Sequence, residues 1–264
     1  MLLAIDVGNT NTVFGVWDGG AWRAVWRRGT NSSATEDQLA VWLQGAFQLS
    51  GIEFKVAGVV CASVVPPAND ALERLSRRWF GIEPFFIHGG ADLGLEVRYS
   101  PPTAVGADRL ANALAALAQS PPPIIVVDFG TATTFDAISA DGAYVGGAIM
   151  PGVTVSTEAL VRRTAQLPQI EFVAPPDALG RTTVDSLRSG VMYGYAGAID
   201  YLARAISSEL GGDVKVIATG GLGRLFVDLC ATIESYAPNL TLDGLRIAYE
   251  RLSAPRDRNE SLQA

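Results

Sequence analysis

The alternation of apolar and polar positions along this 264-residue chain occurs twice. Residues 5–15 read IDVGNTNTVFG and residues 127–137 read VDFGTATTFDA. Each is an apolar run ending in Asp-x-Gly, then small polar residues, then a second apolar run. A turn follows both, Asp18-Gly19 twelve residues after Asp6 and Asp141-Gly142 thirteen after Asp128. Superposed without a gap, the copies share the Asp, the Gly and one Thr (Thr12 on Thr134), so pattern rather than identity carries the repeat.

Between these landmarks the periodicity predicts strands alternating with helices, hence mixed α/β layers. LLAIDV is a strand, and VFGVW and WRAVW flank the Asp-Gly-Gly turn of a hairpin. Thr35 with Gln38 three residues on is a capping-box start, and Leu39, Trp42, Leu43, Ala46 and Phe47 mark one helix face. VAGVVCAS is apolar without alternation, as for a strand buried among parallel neighbours. A helix through LERLSRRWF, a short strand PFFIH and a helix GADRLANALAALA follow. Pro121-Pro122-Pro123 then separates the halves.

The second half opens with IIVVDFG and a hairpin into YVGGAIM; Pro151-Gly152 precedes a helix through TEALVRRTAQL. A long helix spans about 184–210, and Gly190, Gly194 and Gly197 near one face would admit another helix closely. VKVIATGG is a buried strand and LGRLFVDLC the helix after it. The expected units are 1–120, 121–252 and a frayed polar tail over 253–264.

Hydrophobic residues at 48% and charged residues at 18% suffice for a large core. No apolar run reaches membrane-helix length and MLLAID carries no signal features, so a soluble cytoplasmic protein with no membrane partner is expected. A net charge of −7 argues against a nucleic-acid partner. Cys61 and Cys230 fit neither a metal spacing nor a redox pair and read as buried thiols. The single histidine, His88, reads as a loop or strand-end residue.

Three segments carry chemistry. In Asp6-Val-Gly-Asn-Thr-Asn-Thr12 a strand-end carboxylate can hold a hydrated Mg²⁺, while Gly8 lets backbone N–H groups converge on phosphate. An ordinary strand exit uses the same residue types, but the second copy at Asp128 favours function. Asp108, in Gly106-Ala107-Asp108-Arg109, either compensates a helix dipole or accepts a substrate proton beside an anion-clamping Arg109. An ordinary aspartate pKa of about 4 would suffice for that base. Thr219-Gly220-Gly221 is a strand-to-helix turn, common in itself, placed where the nucleoside half of a nucleotide would lie.

Taken together, IDVGNTNT, YSPPTAVGADRLANALAA, VVDFGTATTFDAI, YVGGAIMPGV, TAQLP, GRTTVDSLRSG and ATGG resemble the type III pantothenate kinases along nearly the whole chain. These belong to the superfamily of acetate and sugar kinases, heat-shock chaperone ATPases and actin. The resemblance implies two related ribonuclease-H-like (actin-like ATPase) domains, mixed sheets flanked by helices, with a nucleotide cleft between them. It implies transfer of the ATP γ-phosphate to the primary hydroxyl of pantothenate, the first step of coenzyme A synthesis. Asp6, Val7, Gly8, Asn9, Thr10, Asn11, Thr12 and Val13 match the ATP-phosphate motif, with Asp6 on the divalent ion. Asp108 matches the catalytic base. Tyr99, Gly106, Ala107, Asp108, Arg109 and Thr183 match pantothenate contacts. Asp128 matches a ligand for K⁺ or NH₄⁺, and Thr131, with Gly220 and Gly221, the nucleotide. A homodimer with the substrate site near its interface is also implied. Thr182 stands where the family often has Asn.

Rival readings are a catalytically weak transcriptional accessory protein on the same fold, a kinase of a sugar or small carboxylate, and an actin-like scaffold. Retention of Asp6, Asp108, Arg109 and Asp128 speaks against loss of catalysis.

Overall fold

The computed structural model describes residues 1–253. Two five-stranded sheets carry the repeat. The first holds β1 (Leu2–Val7), β2 (Asn11–Trp17), β3 (Trp22–Gly29), β4 (Gly58–Ser63) and β5 (Phe85–Phe86), in the order β3-β2-β1-β4-β5. The second holds β6 (Ile124–Phe129), β7 (Ala132–Ile138), β8 (Tyr144–Pro151), β9 (Lys215–Thr219) and β10 (Ser235–Tyr236), in the order β8-β7-β6-β9-β10. In both, the first three strands form an antiparallel meander and the first strand pairs parallel with the fourth. The halves therefore share one ribonuclease-H-like topology.

Strand alternation sorts the side chains into three cores. Leu3, Ile5 and Val7 face outward onto α1 (Glu36–Leu49) and α2 (Pro66–Leu75), meeting Leu43, Phe47, Leu72 and Leu75. Helix α1 starts as its sequence indicates: Thr35 accepts from the Gln38 N–H and the Gln38 side chain returns the bond. Ile125, Val127 and Phe135 face α4 (Val153–Arg163), α5 (Thr183–Leu210) and the short α6 (Gly223–Val227) on the far side. Between the sheets, Leu2, Ala4, Val60 and Ala62 meet Ile124, Val126, Ile138 and Ile217 through α3 (Ala107–Gln119) and α7 (Leu240–Ser253). These two helices touch backbone to backbone, because a β-carbon at Gly244 would lie 1.8 Å from the Ala111 carbonyl oxygen. Helix α3 thus lies between the sheets, where its Asn112 reaches Asp128 at the end of β6.

Several sequence expectations shift. The ungapped alignment of the two hairpins is off by one residue beyond the glycine. Val7 pairs with Thr12 but Phe129 with Thr133, so the second turn is one residue shorter and Thr133, not Thr134, corresponds to Thr12. Strand β5 is only two residues long. Helix α4 begins at Val153 and ends at Arg163, leaving TAQL outside it, and α6 covers only part of LGRLFVDLC. Among the described residues no helix packs on Gly190, Gly194 or Gly197, since a β-carbon at each would meet nothing within 4 Å. Helix α7 was not anticipated. Ser253, where the frayed tail was expected to begin, is still part of α7, and the rest of that tail, 254–264, lies outside the described residues. Both cysteines are buried free thiols and His88 is exposed after β5. Among the described residues no helix is long and apolar enough to cross a membrane.

Candidate active site

The two Asp-x-Gly turns face each other. Gly8 N–H donates to the Asn11 carbonyl at 3.0 Å, and Gly130 N–H to the Ala132 carbonyl at 3.1 Å. The Thr10 and Thr131 hydroxyls then touch, Oγ1 to Oγ1, at 2.7 Å. Of residues 6–13, Asn9, Thr10 and Asn11 are exposed in this opening, with Gly8 half-buried. Val7 and Thr12 instead turn inward: Val7 joins the outer core, and Thr12 bonds the Thr30 hydroxyl at 2.9 Å. Val13 packs from the edge of the inner core.

Four carboxylates influence one another here. Burial, then Asp108 and Asp128, push Asp6 up to about 8, against a smaller lowering by Arg27. Burial raises Asp128 to about 6, although Asn112 Nδ2 donates to its Oδ2 at 3.1 Å. Burial also lifts Asp108 above the ordinary aspartate value, which corrects the expectation of an unshifted base. The fourth, Asp136, is inaccessible to solvent and is raised to about 6 by burial, with Arg109 opposing.

Asp108 fills the helix-start role that the sequence offered for it. Its Oδ1 accepts the Arg109 N–H at 2.9 Å, helping to cap a helix whose N-cap, Gly106, has no side chain. Gly106 preserves that conformation, since a β-carbon there would lie 2.5 Å from Oδ1.

Arg109 points inward. Its Nε donates to Asp136 Oδ1 at 2.6 Å, and Tyr144 Oη donates to the same oxygen at 2.9 Å. The Nη1–Nη2 edge carries no short bond, Nη2 lying 3.5 Å from the Phe135 carbonyl. Tyr99 stands edge-on to Tyr144 at 6.3 Å, held because Arg98 N–H and Tyr144 N–H bond across a bridge at Val97. A loop of the first half is thereby laced to the edge of the second sheet. Thr183 is not gathered into this cluster. It begins α5, which packs on the outer face of the second sheet, is exposed, and among the described residues has no hydrogen bond to Asp108 or Arg109. Thr182 caps that helix, its hydroxyl accepting the Asp185 N–H at 3.1 Å. Asn is an equally good cap, so the departure from the family pattern keeps the local structure.

The Gly220-Gly221 loop closes the cleft from the β9 end. Gly220 adopts φ +86°, and a β-carbon there would lie 2.4 Å from Asp128 Oδ1. Three residues of the site escaped the sequence reading. Asn112 is fully buried, accepting from the Thr241 hydroxyl at 2.8 Å while donating to Asp128. Asp136 anchors Arg109, and Arg27 acts electrostatically on Asp6 and Asp128. A lone Asn in the apolar run LANALAALA was the available signal for the first.

The residues present fit a hydrated divalent ion. Among the described residues no three carboxylate, His or Cys groups converge as a dedicated metal cage, yet no protein donor bonds to recessed Asp6. One carboxylate completed by phosphate oxygens and water is what Mg²⁺ prefers.

Paired ribonuclease-H-like halves with opposed acidic hairpins define an actin-like ATPase fold built for phosphoryl transfer. The family model for type III pantothenate kinases matches residues 2–205. A type III pantothenate kinase from Anaeromyxobacter sp. (strain Fw109-5) is 46% identical over 95% of this chain and 99% of that relative. Among solved structures, one from Campylobacter jejuni described as a conserved Baf-family transcriptional activator aligns at TM-score 0.61 with 21% identity, covering 95% of this chain and 98% of that one. MreB 5 of Spiroplasma citri bound to AMPPNP aligns at TM-score 0.52 with 11% identity, covering 95% and 96%. The last two share the fold. The chain belongs to the type III pantothenate kinases. It is an ATP-dependent phosphotransferase that acts on pantothenate, at the first step of coenzyme A biosynthesis, and its family implies a divalent metal with ATP.

Proposed function

We propose that Asp108 is the general base that takes the proton of the pantothenate hydroxyl as ATP's γ-phosphoryl group is transferred to it, giving 4'-phosphopantothenate. One observation carries this: Asp108, its Oδ1 holding the Arg109 N–H, stands close enough to Asp6 of one hairpin and Asp128 of the other to raise both. Such transfers need orientation and charge neutralisation more than covalent help from the protein. The exposed Asn9–Asn11 stretch after Gly8 and Thr131 offer phosphate donors, Gly220-Gly221 the nucleoside seat, and Asp6 a ligand for the divalent ion, which when bound would neutralise phosphate charge.

The Nη1–Nη2 edge of Arg109, held only by a long bond from Nη2 to the Phe135 carbonyl, is suited to the pantothenate carboxylate, with Tyr99 close by. Asp128 is read as the K⁺ or NH₄⁺ ligand. Residues 1–120 and 121–252 are read as the two halves, and the cytoplasm, where ATP is plentiful, as the place of work. A homodimer fits two facts together: Thr183 lies away from Asp108 in its own chain, and the Gly190-Gly194-Gly197 face of α5 is open. A second copy could bring Thr183 to the site. Asp108→Asn tests the assignment of the base. Turnover should fall about 100- to 10,000-fold with ATP binding retained; near-normal turnover would mean another group takes the proton.

A further inference from the structure

Arg27 lies on β3 opposite Val13. Its neighbours turn outward, Trp26 against Phe47 at 5.1 Å and Arg28 over the Trp42 ring at 5.3 Å. Strand alternation therefore sends Arg27 to the inner side, into the cleft. There it crosses from the first sheet to the loop after β9, since a β-carbon at Gly221 would lie 2.8 Å from its Nη1. It stands near enough to Asp6 and Asp128 to lower both. Among the described residues no hydrogen bond or ion pair engages its guanidinium, although the chain as a whole is acidic. The other arginine of the cleft is committed to Asp136 at 2.6 Å.

We infer that Arg27 is a catalytic residue, its guanidinium gripping the ATP phosphate chain between Asp6 and the Gly220-Gly221 loop. The inference rests on the phosphoryl-transfer reading of this cleft. As the substrate hydroxyl oxygen bonds the γ-phosphorus and gives its proton to Asp108, the bond from that phosphorus to the β,γ-bridging oxygen breaks. The electron pair leaves with ADP. A planar cation with several donors, already placed across the cleft, neutralises that charge without reorganising. Lysine, a point charge on a flexible stem, would replace it poorly.

Arg27 is exposed, so Arg27→Gln and Arg27→Ala should fold, as melting curves would confirm. Arg27→Gln is expected to lower kcat about 100-fold with the pantothenate KM within about twofold. It should weaken ADP binding about tenfold, with adenosine binding unaffected. Guanidinium ion at low millimolar concentration should restore part of the Arg27→Ala activity. A kcat within twofold of the parent, or ADP binding that falls no more than adenosine binding, would overturn the assignment. If the parent protein itself showed no pantothenate-dependent turnover, the phosphoryl-transfer reading would fail. The ADP-against-adenosine comparison would still decide Arg27, a selective loss supporting the phosphate grip and an equal response overturning it.

Discussion

The hydroxyls of Thr10 and Thr131, 121 residues apart in sequence, meet at 2.7 Å and tie the two hairpin turns together. Each belongs to an Asp-x-Gly turn closed by its own glycine, Gly8 N–H on the Asn11 carbonyl and Gly130 N–H on the Ala132 carbonyl. Removing either hydroxyl while keeping its shape, as Thr10→Val or Thr131→Val, should raise the ATP KM about three- to tenfold, the worth of one hydrogen bond. Unaltered ATP KM in both variants would detach the pair from nucleotide binding.

Arg109→Lys keeps the charge but loses the planar fork whose Nε holds Asp136 and whose far edge, in the proposed reading, takes the substrate carboxylate. The pantothenate KM should rise at least about tenfold while the ATP KM moves little. Steady-state kinetics with each substrate varied would check it, and an unchanged pantothenate KM would remove Arg109 from substrate binding.

Much of this architecture was legible in the chain. The repeat gave both meanders, and the Thr35–Gln38 pair placed the start of α1, because those signals are local. The one-residue shortening of the second turn was hidden, since an ungapped alignment still matches a threonine. Helix α7 stayed unseen because its polar residues are satisfied far away: Asp243 accepts from Trp22 Nε1 at 2.8 Å and Arg246 lies over the Trp17 ring at 4.9 Å. Asn112, Asp136 and Arg27 share that difficulty. Their meaning lies in partners that only the packed sheets bring near, such as Thr241 for Asn112 at a separation of 129 residues.

Asn112 joins α3, β6 and α7 through its two bonds. Asn112→Leu would strip Asp128 and Thr241 of partners within a buried space. A loss of about 2–3 kcal/mol in unfolding free energy is expected, together with weaker dependence of turnover on the monovalent cation. Denaturant titration and a K⁺ titration would read these separately; parent-like values in both would assign Asn112 no such part.

Asp6 sets a pH dependence of stability in the ligand-free protein. Its pKa in the fold is about 8, above the ordinary 3.8. Between those values the unfolded chain has released a proton that the fold retains, so stability falls as pH rises from about 4 to about 8. Asp128, raised to about 6, adds the same slope over the lower part of that window. Asp6→Asn should therefore stabilise the protein by on the order of 2 kcal/mol at pH 8 and by nearly nothing at pH 4. Melting curves without divalent ions at the two pH values would test this. Equal effects at both would show that Asp6 ionises freely.

The most direct test is ADP release from ATP and Mg²⁺, with and without pantothenate, in potassium and in sodium buffers, for the parent protein and Asp108→Asn. The expected result is turnover that requires pantothenate, rises in potassium and collapses in the variant. ADP release indifferent to pantothenate, or undiminished without the Asp108 carboxylate, would contradict the account.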